Sequence, residues 1–334
     1  SGKQNPKENF IKETRKMHLN EKNLVICDPE IRYANRLGEN ISQRQELAVK
    51  VHICSSFKNL MELSKKKPIH ILVLDEVYAY EERNKVEATQ TFVLSKEKVK
   101  DLGETEHEIG KYQCADEIIR EIFAVYVEKT SENMLRNMRK NETRLIAVYS
   151  PIHRIGKTTF AMALGRECAK KKRVLYLNME EYAGLQEPSQ KGWNLGDLLY
   201  YIKQGDENLG VRMQLAVQKS AGLDYLLPVP ISMDLKEITK EEWLGLLEEI
   251  VRSSNYELVI LDMSESVQGL FQILELCDRI YMPVLGDTVS ERKLQQYEKN
   301  LAHLKLVTLP NITYQFVMPE HIEEYAKMRA KEEC

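Results

Sequence analysis

Residues 145–170 contain the residue types of a phosphate-binding loop, in the order that such a loop requires. An apolar, β-prone run at 145–149 ends in a turn, and Gly156, Lys157 and Thr158 then open an alanine-rich helical stretch. Backbone N–H groups at a helix start point at anionic oxygens, and the helix dipole adds to the attraction. In this arrangement the lysine reaches the β- and γ-phosphates, and the Thr158 hydroxyl ligates Mg²⁺. The loop residues predicted to bind nucleotide are His153, Arg154, Ile155, Gly156, Lys157, Thr158 and Thr159.

The loop departs from the general pattern G-x-x-x-x-G-K-[ST] at its first position, where Pro151 stands. Glycines before Gly156 would let the backbone approach phosphate closely, whereas here His153 and Arg154 carry side chains. The alternative interpretation is a chance Gly-Lys-Thr at a helix start. The strand–loop–helix context favours the phosphate-binding interpretation.

Two strand ends supply carboxylates for the same site. Asp262 ends the apolar run of ELVILD, where the carboxyl edge of a parallel sheet is expected, and is predicted to hold Mg²⁺ together with Thr158. Glu180 follows the strand RVLYLNM and is predicted to orient the attacking water or assist the metal. The alternatives are a capping or turn aspartate at 262 and a solvated strand-end residue at 180. Lys157, Glu180 and Asp262 are the predicted catalytic residues.

Size and composition indicate a cytoplasmic globular protein of about two domains. The chain has 334 residues, with 43% hydrophobic and 30% charged residues and a net charge of −3. That charge gives no electrostatic signal for nucleic acid or for an anionic membrane, and no apolar run is long enough for a transmembrane segment. The six cysteines are scattered without a C-x-x-C pair, which favours buried reduced thiols over a zinc site.

Strand-like and helix-like segments alternate in both halves of the chain. This pattern predicts an α/β protein with two doubly wound, mainly parallel sheets, of which the second carries the phosphate-binding loop. Predicted elements of the second half include a strand at 225–229, a helix at 266–276 and a C-terminal surface helix with Ile322, Tyr325 and Met328 on one face. The predicted divisions are a charged N-terminal arm (1–20), a first α/β domain (21–128), a linker (129–143) and a P-loop domain (144–334).

The chain resembles the MinD/ParA group of deviant Walker ATPases and, within it, the TadZ/CpaE proteins of Flp/Tad pilus assembly. The resemblance covers nearly everything after residue 20, and the order and spacing of its motifs are more specific than any single one. The motifs are SPIHRIGKTTFA, RVLYLNMEE, NLGDLLYYI, YELVILDMSES and CDRIYMPVLGDTVSERKL. The resemblance implies a receiver-like, flavodoxin-type domain at 21–128 before a P-loop NTPase domain at 144–334. It also implies the cofactors ATP and Mg²⁺ and a homodimer.

The family's loop K-G-G-x-G-K-T-T falls on residues 152–159 of this chain. Its signature lysine, which crosses to the partner subunit's phosphates, falls on Ile152, and Arg154 is the nearby cation that could substitute. The family's D-x-D falls on Asn178 and Glu180, and its Mg²⁺-linked aspartate falls on Asp262. The family's proline near the adenine falls on Pro319.

The first half of the chain has polar residues at the strand ends where response-regulator receivers carry their active-site residues. Asp28 ends VICD, Asp75 ends ILVLD, Ser95 follows TFVL, and Lys111 lies near the last expected position. Asp75 is the candidate phosphoacceptor, but Pro29 interrupts the acid pair that would bind Mg²⁺. We favour a pseudo-receiver used for docking or dimerisation over a phosphorylated receiver.

The sequence features and this resemblance together imply a cytoplasmic, nucleotide-dependent homodimer that localises or scaffolds a pilus or secretion assembly. Phosphate and Mg²⁺ binding is expected, with hydrolysis slow or absent, so that the protein is a weak ATPase at most. Recruitment by partners to a cell pole or to the inner face of the membrane is a further expectation. One alternative is a two-component signalling protein whose phosphorylated Asp75 controls the second domain. Another is a non-catalytic scaffold.

Overall fold

A computed structural model describes residues 21–44, 47–99, 101–130, 143–184, 193–205 and 209–334. The predicted N-terminal arm and residues 131–142 of the predicted linker lie outside these ranges. The chain divides into two compact units, residues 1–138 and 139–334. Each unit is built on its own sheet, which confirms the predicted α/β class with two mainly parallel sheets. No helix within the described ranges is long and apolar enough to cross a membrane.

The first unit contains a five-stranded parallel sheet in the order β2-β1-β3-β4-β5. This is the flavodoxin-like order, in which the central strands are covered on both faces and read as continuous apolar runs. Its strands are β1 (Lys22–Cys27), β2 (Val49–Cys54), β3 (Ile69–Asp75), β4 (Ala88–Ser95) and β5 (Glu106–Gly110). Its helices are α1 (Ile31–Gln43), α2 (Phe57–Ser64), α3 (Tyr80–Arg83) and α4 (Ala115–Thr130).

The second unit contains a seven-stranded sheet in the order β12-β11-β6-β10-β7-β9-β8. All pairs are parallel except β8 with β9. Its strands are β6 (Arg144–Val148), β7 (Val174–Met179), β8 (Gln218–Ser220), β9 (Leu223–Tyr225), β10 (Leu258–Met263), β11 (Arg279–Val284) and β12 (Thr313–Val317). Its helices are α5 (Lys157–Ala169), α6 (Leu195–Lys203), α7 (Leu209–Ala216), α8 (Ser232–Glu237), α9 (Lys240–Ser253), α10 (Leu270–Glu275), α11 (Thr288–His303), α12 (Leu309–Ile312) and α13 (Ile322–Glu333).

Both faces of this sheet are buried, because successive side chains of each strand enter two different cores. On β6, Leu145 and Ala147 join one core while Ile146 and Val148 join the other. The second core holds the buried face of α5, whose Phe160 ring packs on those of Tyr281, Phe316 and Tyr325. This packing fixes α5 directly after β6, so that the loop between them lies at the carboxyl edge of the sheet.

Four predictions of local structure were wrong or incomplete. The strand predicted at 225–229 is displaced to Leu223–Tyr225, because prolines at 228 and 230 have no N–H for a sheet. The helix predicted at 266–276 begins only at Leu270, after Gly269 with φ 74°. Helix α7 was missed because it is buried on all sides and shows no amphipathic pattern.

The fourth error concerns the buried face of α13. Met328 was predicted on the apolar face but is 45% exposed, whereas Ala326, Ala330 and Glu333 are buried. Small alanines permit close approach to α5. Buried Glu333 is held by Arg144 at 2.8 Å and by Arg279 at 3.1 Å.

Candidate nucleotide-binding site

The loop between β6 and α5 contains the left-handed backbone conformation that a glycine before a helix predicts. Gly156 adopts a left-handed conformation with φ 82° and directly precedes α5. The backbone angle therefore favours glycine, and a Cβ at this position would also lie 3.2 Å from Ile322 Cδ1, so the end of that side chain would have to shift slightly. Arg154 also has positive φ, at 56°, although it carries a side chain. The resemblance places a glycine of the family at this position, and the backbone conformation typical of glycine is present here.

The Lys157 ammonium is buried and engaged. Its Nζ lies 2.7 Å from Glu180 Oε1 and donates to the carbonyl oxygen of Met263 at 2.9 Å. It also lies 5.9 Å from the centre of the Tyr149 ring. Two of the predicted catalytic residues are therefore in direct contact, and the lysine stands at the first position of α5, where anions are attracted.

Asp262 lies near the carboxyl end of β10, a central strand of the second sheet. It is paired in register with Val148 on β6 and with Asn178 on β7. Its side chain is fully buried. Burial raises its pKa to about 6, with a further increase from the Glu180 charge, and the Thr158, Tyr176 and Lys157 side chains oppose this rise. Thr158 and Asp262 are thus close enough to act on one ligand.

Only one of the two oxygen atoms of the Asp262 carboxylate accepts a hydrogen bond from the described residues. Oδ2 accepts a hydrogen bond from the Tyr176 hydroxyl at 2.9 Å, whereas Oδ1 is buried without a hydrogen-bond partner in the part of the chain that the structure describes. A buried carboxylate oxygen without a partner costs free energy unless a ligand satisfies it. Oxygen donors such as this one and the Thr158 hydroxyl suit Mg²⁺, which takes few protein ligands and completes its shell with phosphate and water. The residues present therefore fit a magnesium nucleotide.

The other predicted loop residues fall into two groups. Ile152 and Ile155 are buried, with 4% and 5% exposure, so their side chains pack inward. Arg154 and Thr159 are exposed, as is His153, whose Nε2 lies 3.7 Å from Glu265 Oε2. The loop thus offers its backbone and three exposed side chains to a ligand, but not the buried side chain of Ile155. Pro319 is half-buried in the loop whose Met318 side chain lies beside Gly156.

Sequence reasoning missed Tyr176, which joins the strand ends. Asn178 Nδ2 donates to the Tyr176 hydroxyl at 2.9 Å, and Asn178 Oδ1 accepts from the Glu180 N–H at 3.1 Å. A signal was available in the sequence. Tyr176 lies two residues before Asn178 in an apolar strand, so the two side chains share one face of the sheet.

The first unit brings its own acids together. Lys111 Nζ lies 2.5 Å from Asp75 Oδ2, 2.8 Å from Asp28 Oδ2 and 3.1 Å from Glu30 Oε1. Burial raises the pKa of Asp28, and the hydrogen bond from Lys111 opposes this rise. Ser95, the predicted fourth-strand hydroxyl, donates instead to Glu108 Oε1 at 2.7 Å. Three of the four predicted residues therefore converge, and the ammonium occupies the space between the carboxylates.

Several solved structures are similar to part of this chain. A ParA family ATPase from Chlorobium tepidum TLS is 19% identical, over 48% of this chain and 68% of that one, with a TM-score of 0.40. A chain of the MinC:MinD cell division protein complex from Aquifex aeolicus is 21% identical, over 52% and 68%, with a TM-score of 0.38. Cobyrinic acid a,c-diamide synthase from Mycobacterium smegmatis, solved with an ATP analogue and magnesium, is 16% identical, over 57% and 83%, with a TM-score of 0.40. No protein-family model and no curated protein matches the sequence.

Proposed function

We propose that the second unit binds ATP with Mg²⁺ at the loop before α5. The observation that carries the proposal is the position of Lys157 and Thr158 at the start of α5, beside a buried Asp262 whose Oδ1 has no partner among the described residues. Backbone N–H groups of residues 153–159 and the Lys157 ammonium would hold the phosphates. Thr158 and Asp262 would hold the metal, and the loop that contains Pro319 would lie near the base.

Hydrolysis is expected to be slow or absent. Bound Mg²⁺ would neutralise the phosphate charge, while the chain's own residues must position water and supply further cations. The position that the resemblance assigns to the signature lysine is Ile152, an apolar side chain with 4% exposure. Glu180, the residue assigned to water, is paired with Lys157. Binding and turnover are therefore separable in this protein.

The cellular role that we propose is that of a TadZ/CpaE-like localisation or scaffold protein in a Flp/Tad pilus or a secretion assembly. Residues 21–128 would form a receiver-like docking domain, 129–143 a linker and 144–334 the ATPase domain. ATP between two subunits would stabilise a homodimer, because a ligand that binds only the dimer shifts the monomer–dimer equilibrium. The protein would act in the cytoplasm, with recruitment to a pole or to the inner membrane face by partners. The support is the order and spacing of the five motifs.

Light scattering with and without ATP and Mg²⁺ tests this assembly. The expected result is a doubling of mass when both are present and a monomer when either is omitted. A mass that does not respond to the nucleotide would contradict the nucleotide-dependent homodimer. A Lys157→Ala variant should stay at the nucleotide-free mass.

A phosphorylated receiver is the second candidate, favoured by the convergence of Asp28, Asp75 and Lys111 at one edge of the first sheet. Incubation with acetyl phosphate followed by mass spectrometry separates it from a pseudo-receiver. A pseudo-receiver predicts no mass gain, because Lys111 fills the space between the acids. A gain of one phosphoryl group that is lost in Asp75→Asn would establish the second candidate.

A further inference from the structure

We propose that Tyr176 is a positioning residue for the magnesium ligand: its hydroxyl fixes the Asp262 carboxylate so that Oδ1 is presented to the cation. This inference rests on the proposed binding of ATP with Mg²⁺ and names a residue that the P-loop motif does not contain. Two observations carry it. They are the hydrogen bond from the Tyr176 hydroxyl to Asp262 Oδ2 at 2.9 Å and the lack of any partner for Oδ1 in the described ranges.

The hydrogen bond has a fixed direction. Tyr176 and Asp262 are both fully buried. A tyrosine hydroxyl keeps its proton at neutral pH, whereas a carboxylate oxygen can only accept, so the 2.9 Å contact is a donation from Tyr176 to Asp262. A protonated hydroxyl beside a carboxylate donates to it. Because one oxygen is held in this way, the carboxylate cannot rotate freely, and its other oxygen keeps one orientation.

Asn178 holds the Tyr176 hydroxyl in place by a second hydrogen bond. Its amide Nδ2 donates to the Tyr176 hydroxyl at 2.9 Å, which leaves the hydroxyl proton for Asp262. Asn178 Oδ1 accepts from the Glu180 N–H at 3.1 Å and so fixes which end of the amide faces Tyr176. An aspartate at 178, as in the family's D-x-D, could not donate while ionised. The amide of Asn178 can donate, and it does so to the Tyr176 hydroxyl.

The hydrogen bonds from Asn178 to Tyr176 and from Tyr176 to Asp262 connect two paired strands at their carboxyl ends. Asn178 on β7 and Asp262 on β10 are partners in the parallel register. Groups that orient metal ligands in this way commonly contribute about 10- to 100-fold to metal affinity. Tyr176 would thus act on Mg²⁺ through Asp262, without touching the ion.

The experiment is calorimetric titration of ATP into the full chain, with Mg²⁺ and with EDTA, for wild type, Tyr176→Phe and Tyr281→Phe. Tyr281→Phe is a matched control because its buried hydroxyl also donates to a carboxylate, that of Glu333 at 2.7 Å, in the same core. In Tyr176→Phe the increase in ATP affinity caused by Mg²⁺ should fall about tenfold, while the affinity in EDTA stays within about twofold of wild type. In Tyr281→Phe both affinities should match wild type, and thermal melting should show that both variants are folded.

Two results would overturn the inference alone. One is a wild-type response to Mg²⁺ in Tyr176→Phe. The other is an equal loss of ATP affinity with and without Mg²⁺, which would indicate a merely structural role. Failure of the wild-type chain to bind ATP at all would instead overturn the proposed function, and the inference with it.

Discussion

The Lys157 ammonium lies 2.7 Å from Glu180 Oε1, so the cation expected to bind phosphate is paired with a carboxylate of the same chain. Both side chains are largely shielded, at 6% and 19% exposure. A polyphosphate that binds Lys157 must compete with this carboxylate and then lie beside its negative charge. We therefore expect Glu180 to oppose nucleotide binding at the proposed site.

Glu180→Gln should bind ATP more tightly than wild type. Removal of one partly buried negative charge beside the phosphates is expected to lower Kd about tenfold, equivalent to about 1.4 kcal/mol. Calorimetric titration measures the change. Glu181→Gln is the control, because Glu181 contacts Ser266 and Lys236 instead of Lys157. Weaker binding by Glu180→Gln would contradict the competition.

Lys157→Ala should bind ATP about 100-fold more weakly, since charged hydrogen bonds contribute up to about 3 kcal/mol. The matched control is Lys170→Ala, which removes an exposed lysine that follows the same helix and pairs with Glu167. Binding and ATP turnover of both variants are compared with wild type. Equal binding by wild type and Lys157→Ala would favour the non-catalytic scaffold.

The sequence predicts the regular elements well wherever local patterns decide them. The sequence predicts strands at 49–54 and 279–284 and a helix at 240–253, and the structure has these three elements with the same bounds. The last begins at a capping box in which Thr239 and Glu242 satisfy each other's backbone N–H groups. Gly156, Lys157 and Asp262 were likewise predictable, because each lies next to an apolar run of recognisable type.

Long-range relationships were not predictable in the same way. The Tyr176 hydroxyl meets Asp262, 86 residues away, only because β7 and β10 pair in one register. The β8–β9 hairpin depends on positive φ at Ala221 and Gly222, and alanine gives no local signal for that conformation. Similarly, the burial of Glu333 depends on Arg144 and Arg279 from two distant strands.

Asp262→Asn should stabilise the nucleotide-free protein at neutral pH. The pKa of Asp262 is about 6 in the folded chain against 3.8 unfolded, chiefly because of burial. The folded state therefore holds its proton more tightly, and stability falls as pH rises from about 4 to 6. The difference corresponds to about 3 kcal/mol at neutral pH.

Urea denaturation at several pH values tests this prediction. The stability gained in Asp262→Asn should be largest above about pH 6 and should vanish below about pH 3, where the wild-type side chain is protonated in both the folded and the unfolded state. The same variant should lose the Mg²⁺-dependent part of ATP affinity. A gain that is equal at all pH values would contradict a cause in the ionisation of Asp262.

Arg154→Gly should stabilise the fold and weaken the nucleotide-dependent dimer. A left-handed conformation costs a non-glycine residue about 1–2 kcal/mol, and glycine's extra freedom when unfolded offsets part of the gain. Arg154, with φ 56°, is exposed, so few contacts are lost. Denaturation measures the stability, and light scattering with ATP and Mg²⁺ measures the dimer. If the dimer is unaffected, Arg154 does not substitute for the missing signature lysine.

The most direct test of the central claim is calorimetric titration of ATP into the wild-type chain in the presence of Mg²⁺. We predict saturable binding with one nucleotide per chain, weakened when EDTA replaces Mg²⁺ and about 100-fold weaker in Lys157→Ala. No heat of binding with Mg²⁺ present, or binding that Lys157→Ala leaves unchanged, would contradict a nucleotide site built on Lys157, Thr158 and Asp262.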